Sequence, residues 1–486
     1  MAQFLETHNA LHCDLIMGLP TELATSCFRP LDFRGRVAVS HVSRAWRRVA
    51  LADCGLWNKL TIHAPRPVSL EVLEALLARS GGAPFEFDWA SKSVGWARYT
   101  NMPDTLLDAL ERHIGRIGAL DLRNSDEPEA LARLLQLEAP QLRHLLSSGP
   151  AVADLSADWG PRCVPRLETL RLRRFSIPDG FRPLASLTSF AGTLTAGSSA
   201  PSLAHVFPQL VKLRLYGLSQ RAVRALGAPP PSCRWVELSA AEPVSLDYTP
   251  FLRVCYDRRI PTLKLFDLNT LVPLVREFAH STQGLCRMTV YRSFGTVILE
   301  SDEDGVFRRA ETSEPPPILQ EVSCFAYLDR LSYLELSLGL LLGIHALQSP
   351  ATSSFPMLLS LTIVVDDWEN TEPPVAGGIP PLRMPRLAGL VLDMRCLECE
   401  PAHENARWLA VYVPGMLRSL ISTDRPRLET LLVVTADGHE AVSFASRTDQ
   451  ADLIALAKTL RIVDVYVYED ERPSRRDHGA DWLADF

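Results

Sequence analysis

Leu167-Glu168-Thr169-Leu170-Arg171-Leu172 carries apolar side chains at the first, fourth and sixth positions of a six-residue frame, two residues after Pro165. The last two apolar positions lie two apart, the period of a β-strand. Leu170 and Leu172 therefore turn to one side of a short strand, with Thr169 and Arg171 on the other. A single frame of this kind is uninformative, because Leu is abundant. Its recurrence decides the fold.

The frame returns on both sides of this stretch, usually with a Pro just before or at its start. It stands upstream at Ile117, Leu120 and Leu122, and downstream at Leu210, Leu213 and Leu215, at Cys233, Val236 and Leu238, at Ile260, Leu263 and Leu265, and at Leu285, Met288 and Val290. Later copies are Leu331, Leu334 and Leu336, then Leu358, Leu361 and Ile363, then Leu387, Leu390 and Leu392, then Leu428, Leu431 and Val433, and finally Leu460, Val463 and Val465. Weaker copies begin at Leu142 and Leu187. From Ile117 to Leu285 successive first positions are 25, 25, 20, 23, 23, 27 and 25 residues apart. That is the period of leucine-rich repeats. The array resembles the degenerate form of that family, since Phe175, Leu218 and Gly339 stand where regular arrays carry Asn or Cys. The resemblance implies an α/β chain in which stacked strands form a curved parallel sheet, with helices or loops on the convex side. Strands of another α/β fold are the competing reading, and the near-constant spacing argues against it.

The later steps widen to 46, 27, 29, 41 and 32 residues. One hairpin insertion is expected near 296–317, with strands Thr296–Glu300 and Val306–Arg309 around Asp304-Gly305, followed by the stiff Pro315-Pro316-Pro317. A second is expected near 431–446, with strands Leu431–Thr435 and Ala441–Phe444. The Pro-rich Thr371–Pro385 stretch reads as a third loop. Loops on one side of a solenoid often build its binding surface.

At the other end of the chain the spacing changes to a helical one. Pro20 suits a first helical turn, and Leu23, Cys27, Phe28 and Leu31 follow at i, i+4, i+5 and i+8 as one expected apolar stripe, ended by Pro30. A second helical stretch from about Arg34 places Val37, Val42, Ala45, Trp46 and Val49 on a common face, and Ser43 can cap a break into a third helix. Three short helices make a thin core, so leftover Leu, Phe and Trp are expected to be covered by a neighbour. From Leu19 to Leu56-Trp57 this order and spacing resembles the F-box. Trp57, Leu60 and Ile62 fit the strand frame, which would dock the first strand against the end of the helices.

The resemblance implies a module that plugs into a Skp-type adaptor, and through it a cullin, by way of Leu19, Pro20, Glu22, Leu23, Phe28, Leu31, Val37, Val42, Trp46 and Arg47. The expected organisation is an N-terminal lead at 1–14, an F-box at 15–62, a repeat solenoid at 63–468 and a mobile tail at 469–486, whose Trp482 and Phe486 could dock back as a cap. A helix-turn-helix is the competing reading of the first sixty residues. Their seven Lys and Arg against five Asp and Glu make too small a margin for a phosphate-binding face.

Composition narrows the classes further. A chain of 486 residues with 47% hydrophobic content can build a large core, and a net charge of -7 gives no electrostatic reason to expect nucleic acid or an anionic membrane. The start lacks a basic segment followed by an apolar core, and the run around Leu338–Leu347 is too short to span a bilayer. A cytoplasmic or nuclear location, with reduced thiols at the ten cysteines, is therefore expected. Cys396, Cys399 and His403 lack a second ligand pair for zinc, Asp302-Glu303-Asp304 lacks calcium-loop spacing and reads as a solvated turn, and no phosphate-binding or nucleophile motif occurs. No cofactor and no enzymatic activity are expected. The F-box and repeat resemblances imply a substrate receptor of an SCF-type ubiquitin ligase for some target protein, with a repeat scaffold or sensor outside any ligase as the alternative.

Overall fold

The computed structural model describes residues 19–31, 33–64, 70–91, 102–122, 128–153, 158–178, 180–196, 202–220, 223, 227–240, 248–266, 272–291, 296–301, 304–311, 330–346, 354–365, 380–394, 413–436 and 455–465. The lead at 1–14, the Cys396, Cys399 and His403 group, the triple proline, the 441–446 segment and the tail lie outside them. Two compact units divide the chain, Met1–Ala241 and Glu242–Phe486. Together they form a mixed α/β architecture, with an N-terminal helical region and mostly parallel strand pairing.

The first unit begins with helices α1 (Thr21–Phe28), α2 (Phe33–Val42) and α3 (Arg44–Ala52). Eight strands follow: β1 (Lys59–Ala64), β2 (Phe85–Ser91), β3 (Ile117–Leu122), β4 (His144–Ala153), β5 (Thr169–Ile177), β6 (Ser189–Ala196), β7 (Lys212–Leu218) and β8 (Trp235–Ala240). Each is parallel to the next in chain order. The register aligns equal frame positions, so Leu60, Phe87, Leu120, Leu145, Leu170, Phe190, Leu213 and Val236 form one continuous rung. All eight are buried. Alternation in each strand thereby becomes one apolar face across the sheet, covered by buried leucines of the connecting helices Leu70–Arg79, Asp104–His113 and Pro128–Leu135.

Strand β2 was not legible as a copy of the frame. Its positions are Pro84, Phe87 and Trp89, and a pattern written in Leu, Ile and Val passes over them. The shortest step, 20 residues from Leu167 to Leu187, leaves no room for a helix between β5 and β6. Aromatic rings fill that layer instead: Phe175 packs on Phe181, Phe190 and Phe207 at centroid separations of 5.9, 5.7 and 6.2 Å. Phe175 and Leu218, which occupy the position of the missing Asn or Cys, are both buried.

The second unit contains β9 (Thr262–Phe266), β10 (Cys286–Tyr291), β11 (Thr296–Ser301), β12 (Val306–Glu311), β13 (Leu331–Ser337), β14 (Ser360–Val364), β15 (Leu382–Arg383), β16 (Gly389–Asp393), β17 (Ile421–Ser422), β18 (Leu428–Ala436) and β19 (Ala457–Val465). The hairpin expected near 296–317 forms, but not as a side loop. Its strands enter the sheet, with β11 antiparallel to β10 and β12 parallel to β9, so two repeat strands are separated by the insertion. At its turn, Asp304 is exposed, in keeping with the solvated turn expected there, and it is hydrogen-bonded as well. Its carboxylate accepts hydrogen bonds from the backbone N–H groups of Gln283 (2.9 Å) and Gly284 (3.0 Å) and from the Ser301 hydroxyl (2.8 Å). The Gly284 N–H leads these bonds in holding the Asp304 carboxyl below its ordinary range.

The insertion also carries a charge into the core. Arg308 faces inward beside Leu263 and donates from Nε (2.7 Å) and Nη2 (2.8 Å) to the carboxylate of Glu277, on helix Val272–Ser281. Both side chains are almost fully enclosed, and Arg308 Nη1 donates as well to the carbonyls of Pro261 and Phe307.

Three further expectations are corrected. The hairpin near 431–446 does not form on β18 as expected, because both edges of that strand are taken over Thr430–Val434 by parallel neighbours, β16 and β19. The last frame starts three residues earlier than its leucines suggest: Leu431 pairs with Leu460 and Val433 with Ile462, which makes Ala457 the first position. Ala is small enough to be buried there and too unspecific to be seen. Part of the Pro-rich loop is ordered as β15, paired with β17. Among the described residues no helix is long and apolar enough to cross a membrane.

Candidate docking site on the N-terminal helices

Pro20 precedes α1, and its carbonyl accepts from the N–H groups of Leu23 (2.9 Å) and Ala24 (3.0 Å), starting the helix. The hydroxyls of Thr25 and Ser26 return to the Glu22 carbonyl, and Pro30 prevents extension past Phe28. Helix α2 stops where Ser43 turns to extended backbone. There the Ser43 hydroxyl accepts the Trp46 N–H at 3.1 Å and starts α3 as expected.

The expected single stripe of Leu23, Cys27, Phe28 and Leu31 splits. Phe28 is 2% exposed and meets Trp46 at a ring separation of 5.3 Å, joined in the core by Ala24, Val49 and Ala50. Leu23, by contrast, is 53% exposed, and Cys27 is exposed as well. On a helix of radius near 2.3 Å, i+4 and i+5 fall on opposite flanks of a stripe, and only one flank meets α3 here. Val42 is also corrected: it is 62% exposed and does not share the inward face of Val49. Phe28, placed among the surface contacts by sequence, supports the surface from beneath. Leu31, Val37 and Trp46 are half-buried, while Pro20, Glu22 and Arg47 are exposed.

Among the described residues eight large apolar side chains stand exposed, and four of them, Leu19, Leu23, Val42 and Leu51, fall within residues 19–51. Single exposed leucines are ordinary, but this concentration in one small module is what an unoccupied docking surface presents. Leu51 was missed by sequence reasoning because it continues the apolar run of Val49-Ala50. Its spacing of seven from Arg44, an exposed position, was the available signal.

The module is tied to the sheet behind it. Arg36 donates to the carbonyls of Leu56 (2.8 Å) and Arg29 (2.7 Å), binding the end of α1 to the turn before β1. Buried Trp57 donates from its indole N–H to the Ala50 carbonyl at 2.7 Å, and Arg79 of the first connecting helix lies 5.1 Å over its ring. Arg47 donates to the Ser40 carbonyl and bonds His41 Nδ1, so this exposed cation is held in one direction.

Comparison with known families matches residues 16–63 to the F-box-like family. The chain thus carries an F-box-like domain, one residue displaced at each end from the 15–62 expected, and exposed Leu19, Leu23, Val42 and Leu51 all lie within it. F-box domains commonly bind Skp-type adaptors in SCF-type complexes. No curated protein matches the chain.

Proposed function

We propose that this chain is a non-catalytic substrate receptor of an SCF-type ubiquitin ligase, which grips a Skp-type adaptor with α1–α3 and a target protein with a degenerate leucine-rich-repeat solenoid. The observation that carries the reading is the exposure of Leu19, Leu23, Val42 and Leu51 on a small module whose Phe28 and Val49 are used internally. The solenoid reading is supported by the 20–27-residue period and by the alignment of equal frame positions from β1 to β8. The receptor's contribution to ubiquitin transfer is proximity, which raises the effective concentration of a held target near the charged carrier.

Co-purification with a Skp-type adaptor tests this. Leu19→Ala with Leu23→Ala should weaken adaptor capture by about tenfold or more, the scale of losing two central apolar contacts, with the helical signal unchanged. An adaptor that fails to bind the well-folded wild-type chain would favour the scaffold reading, in which the helices only cap the sheet.

A further inference from the structure

Helix α3 turns Trp46, Val49 and Ala50 inward and leaves Arg44, Arg47, Arg48 and Leu51 exposed. Positions i, i+3, i+4 and i+7 of a helix share one face, so these four form a single stripe. At a rise of about 1.5 Å per residue the stripe is about 10 Å long. No Asp or Glu occurs from Phe33 to Ala52, a stretch with five Arg in a chain of net charge -7. The next acid, Asp53, is engaged by the Arg29 guanidinium (3.8 Å) and the Gly55 N–H (2.9 Å). Arg47 is held by Ser40 and His41, whereas Arg44 and Arg48 have no hydrogen-bond or ion-pair partner among the described residues. The charge also runs against the helix. Unpaired N–H groups make a helix start positive, so acids are favoured there and cations at the far end. Helices Leu70–Arg79 and Asp104–His113 obey, with Glu71 and Asp104 in their first turns and Arg79, Arg112 and His113 in their last. Helix α3 inverts the order: it opens on Arg44, has no acid in its first turn and no basic residue in its last. Helix stability therefore does not account for the arginines, and a purely solvated charge face does not account for Leu51 among them.

We infer that this stripe meets a cluster of Asp or Glu side chains on the adaptor, with an apolar adaptor side chain seated on Leu51, and that it steers the adaptor onto the helices. The inference rests on the receptor reading and brings Arg44, Arg48 and Leu51 into that contact. Charge complementarity selects the occupant. The guanidinium forks match carboxylates through two parallel N–H···O bonds, and the positive helix start adds to the same field. A row of cations this short, ending on a leucine, suits a protein surface with acids around an apolar spot better than a run of phosphates. Exposed charges at a contact act on the rate of encounter more than on the lifetime of the complex, so the arginines govern association while Leu19 and Leu23 hold what has docked.

Association and dissociation rates of the full chain on an immobilised Skp-type adaptor test the proposal. Between about 0.05 and about 0.5 M salt the association rate should fall by about tenfold, as screening removes the steering. Arg44→Glu with Arg48→Glu should slow association at low salt by about tenfold or more and abolish the salt dependence, with dissociation changed by less than about twofold. Acids suit the start of a helix, so thermal unfolding of this variant should be unchanged or raised, which separates lost association from misfolding. Leu19→Ala with Leu23→Ala should do the opposite, speeding dissociation and keeping the salt dependence. Adaptor capture with an association rate indifferent to salt, or unchanged by the Arg44→Glu, Arg48→Glu pair, overturns this inference and leaves the receptor reading standing. A well-folded wild-type chain that captures no adaptor overturns the receptor reading itself. Binding of duplex DNA or phosphatidylserine vesicles that the Arg44→Glu, Arg48→Glu pair abolishes, with adaptor association unaffected, overturns the inference in favour of a phosphate-bearing partner.

Discussion

The N-terminal helices and the first sheet draw on the same residues to opposite ends. In β1 to β8 every fourth-position residue is turned inward and hidden from solvent, whereas two leucines four apart, Leu19 just before α1 and Leu23 within it, remain 40% and 53% exposed. The difference lies in what each element can find to pack against. A strand in the stack has neighbours on both sides and helices beneath. A three-helix module has room inside for Phe28, Trp46 and Val49 and little else. Apolar surface left out in the thin module is a place for a partner, and none is left out along the fourth-position rung of the ladder.

The harshest way to test the ladder is to leave a charge alone inside it. Glu277→Ala strands the Arg308 guanidinium in the core of the second unit and should cost about 3–5 kcal/mol in chemical denaturation. Glu277→Leu with Arg308→Met should recover most of that loss, since both charges are then removed together. Next in size, Leu170→Ala in the first ladder should cost about 2–5 kcal/mol, and Leu23→Ala should stay within about 0.5 kcal/mol. Similar costs at the two sites would break the contrast drawn between the elements. Ser43→Ala removes the hydroxyl that accepts the Trp46 N–H and should cost about 1 kcal/mol, measured by thermal unfolding of the full chain. The smallest effect carries no stability change. At pH 8 an alkylating reagent should modify exposed Cys27 and Cys54 and spare Cys233, whose thiol burial pushes up to about 11, as read by peptide mass mapping. Adaptor binding should slow the reaction at Cys27, which follows Leu23 by one helical turn.

Legibility followed locality. Ser43 was readable as a cap because capping involves residues three apart, and the copies at Leu142 and Leu187 were readable because alternation survives weak residues. Pro84, Phe87 and Trp89 escaped because the frame had been defined by aliphatic side chains, although a ring fills the same rung. The Thr296 hairpin was recognised by its Asp-Gly turn, yet its place between β9 and β10 depends on which sheet edges are free. The 441–444 strand was assigned to an edge that parallel neighbours already occupy.

By itself the sequence determined the strand frame, its period and the helical start, since alternation, capping and proline act within a few residues of chain. Tertiary structure alone decided that Phe28 goes in while Leu23 stays out, and that Arg308 meets Glu277. Each of those outcomes depends on residues brought alongside by the pairing of separate segments, and a one-dimensional pattern holds no record of which neighbour arrives.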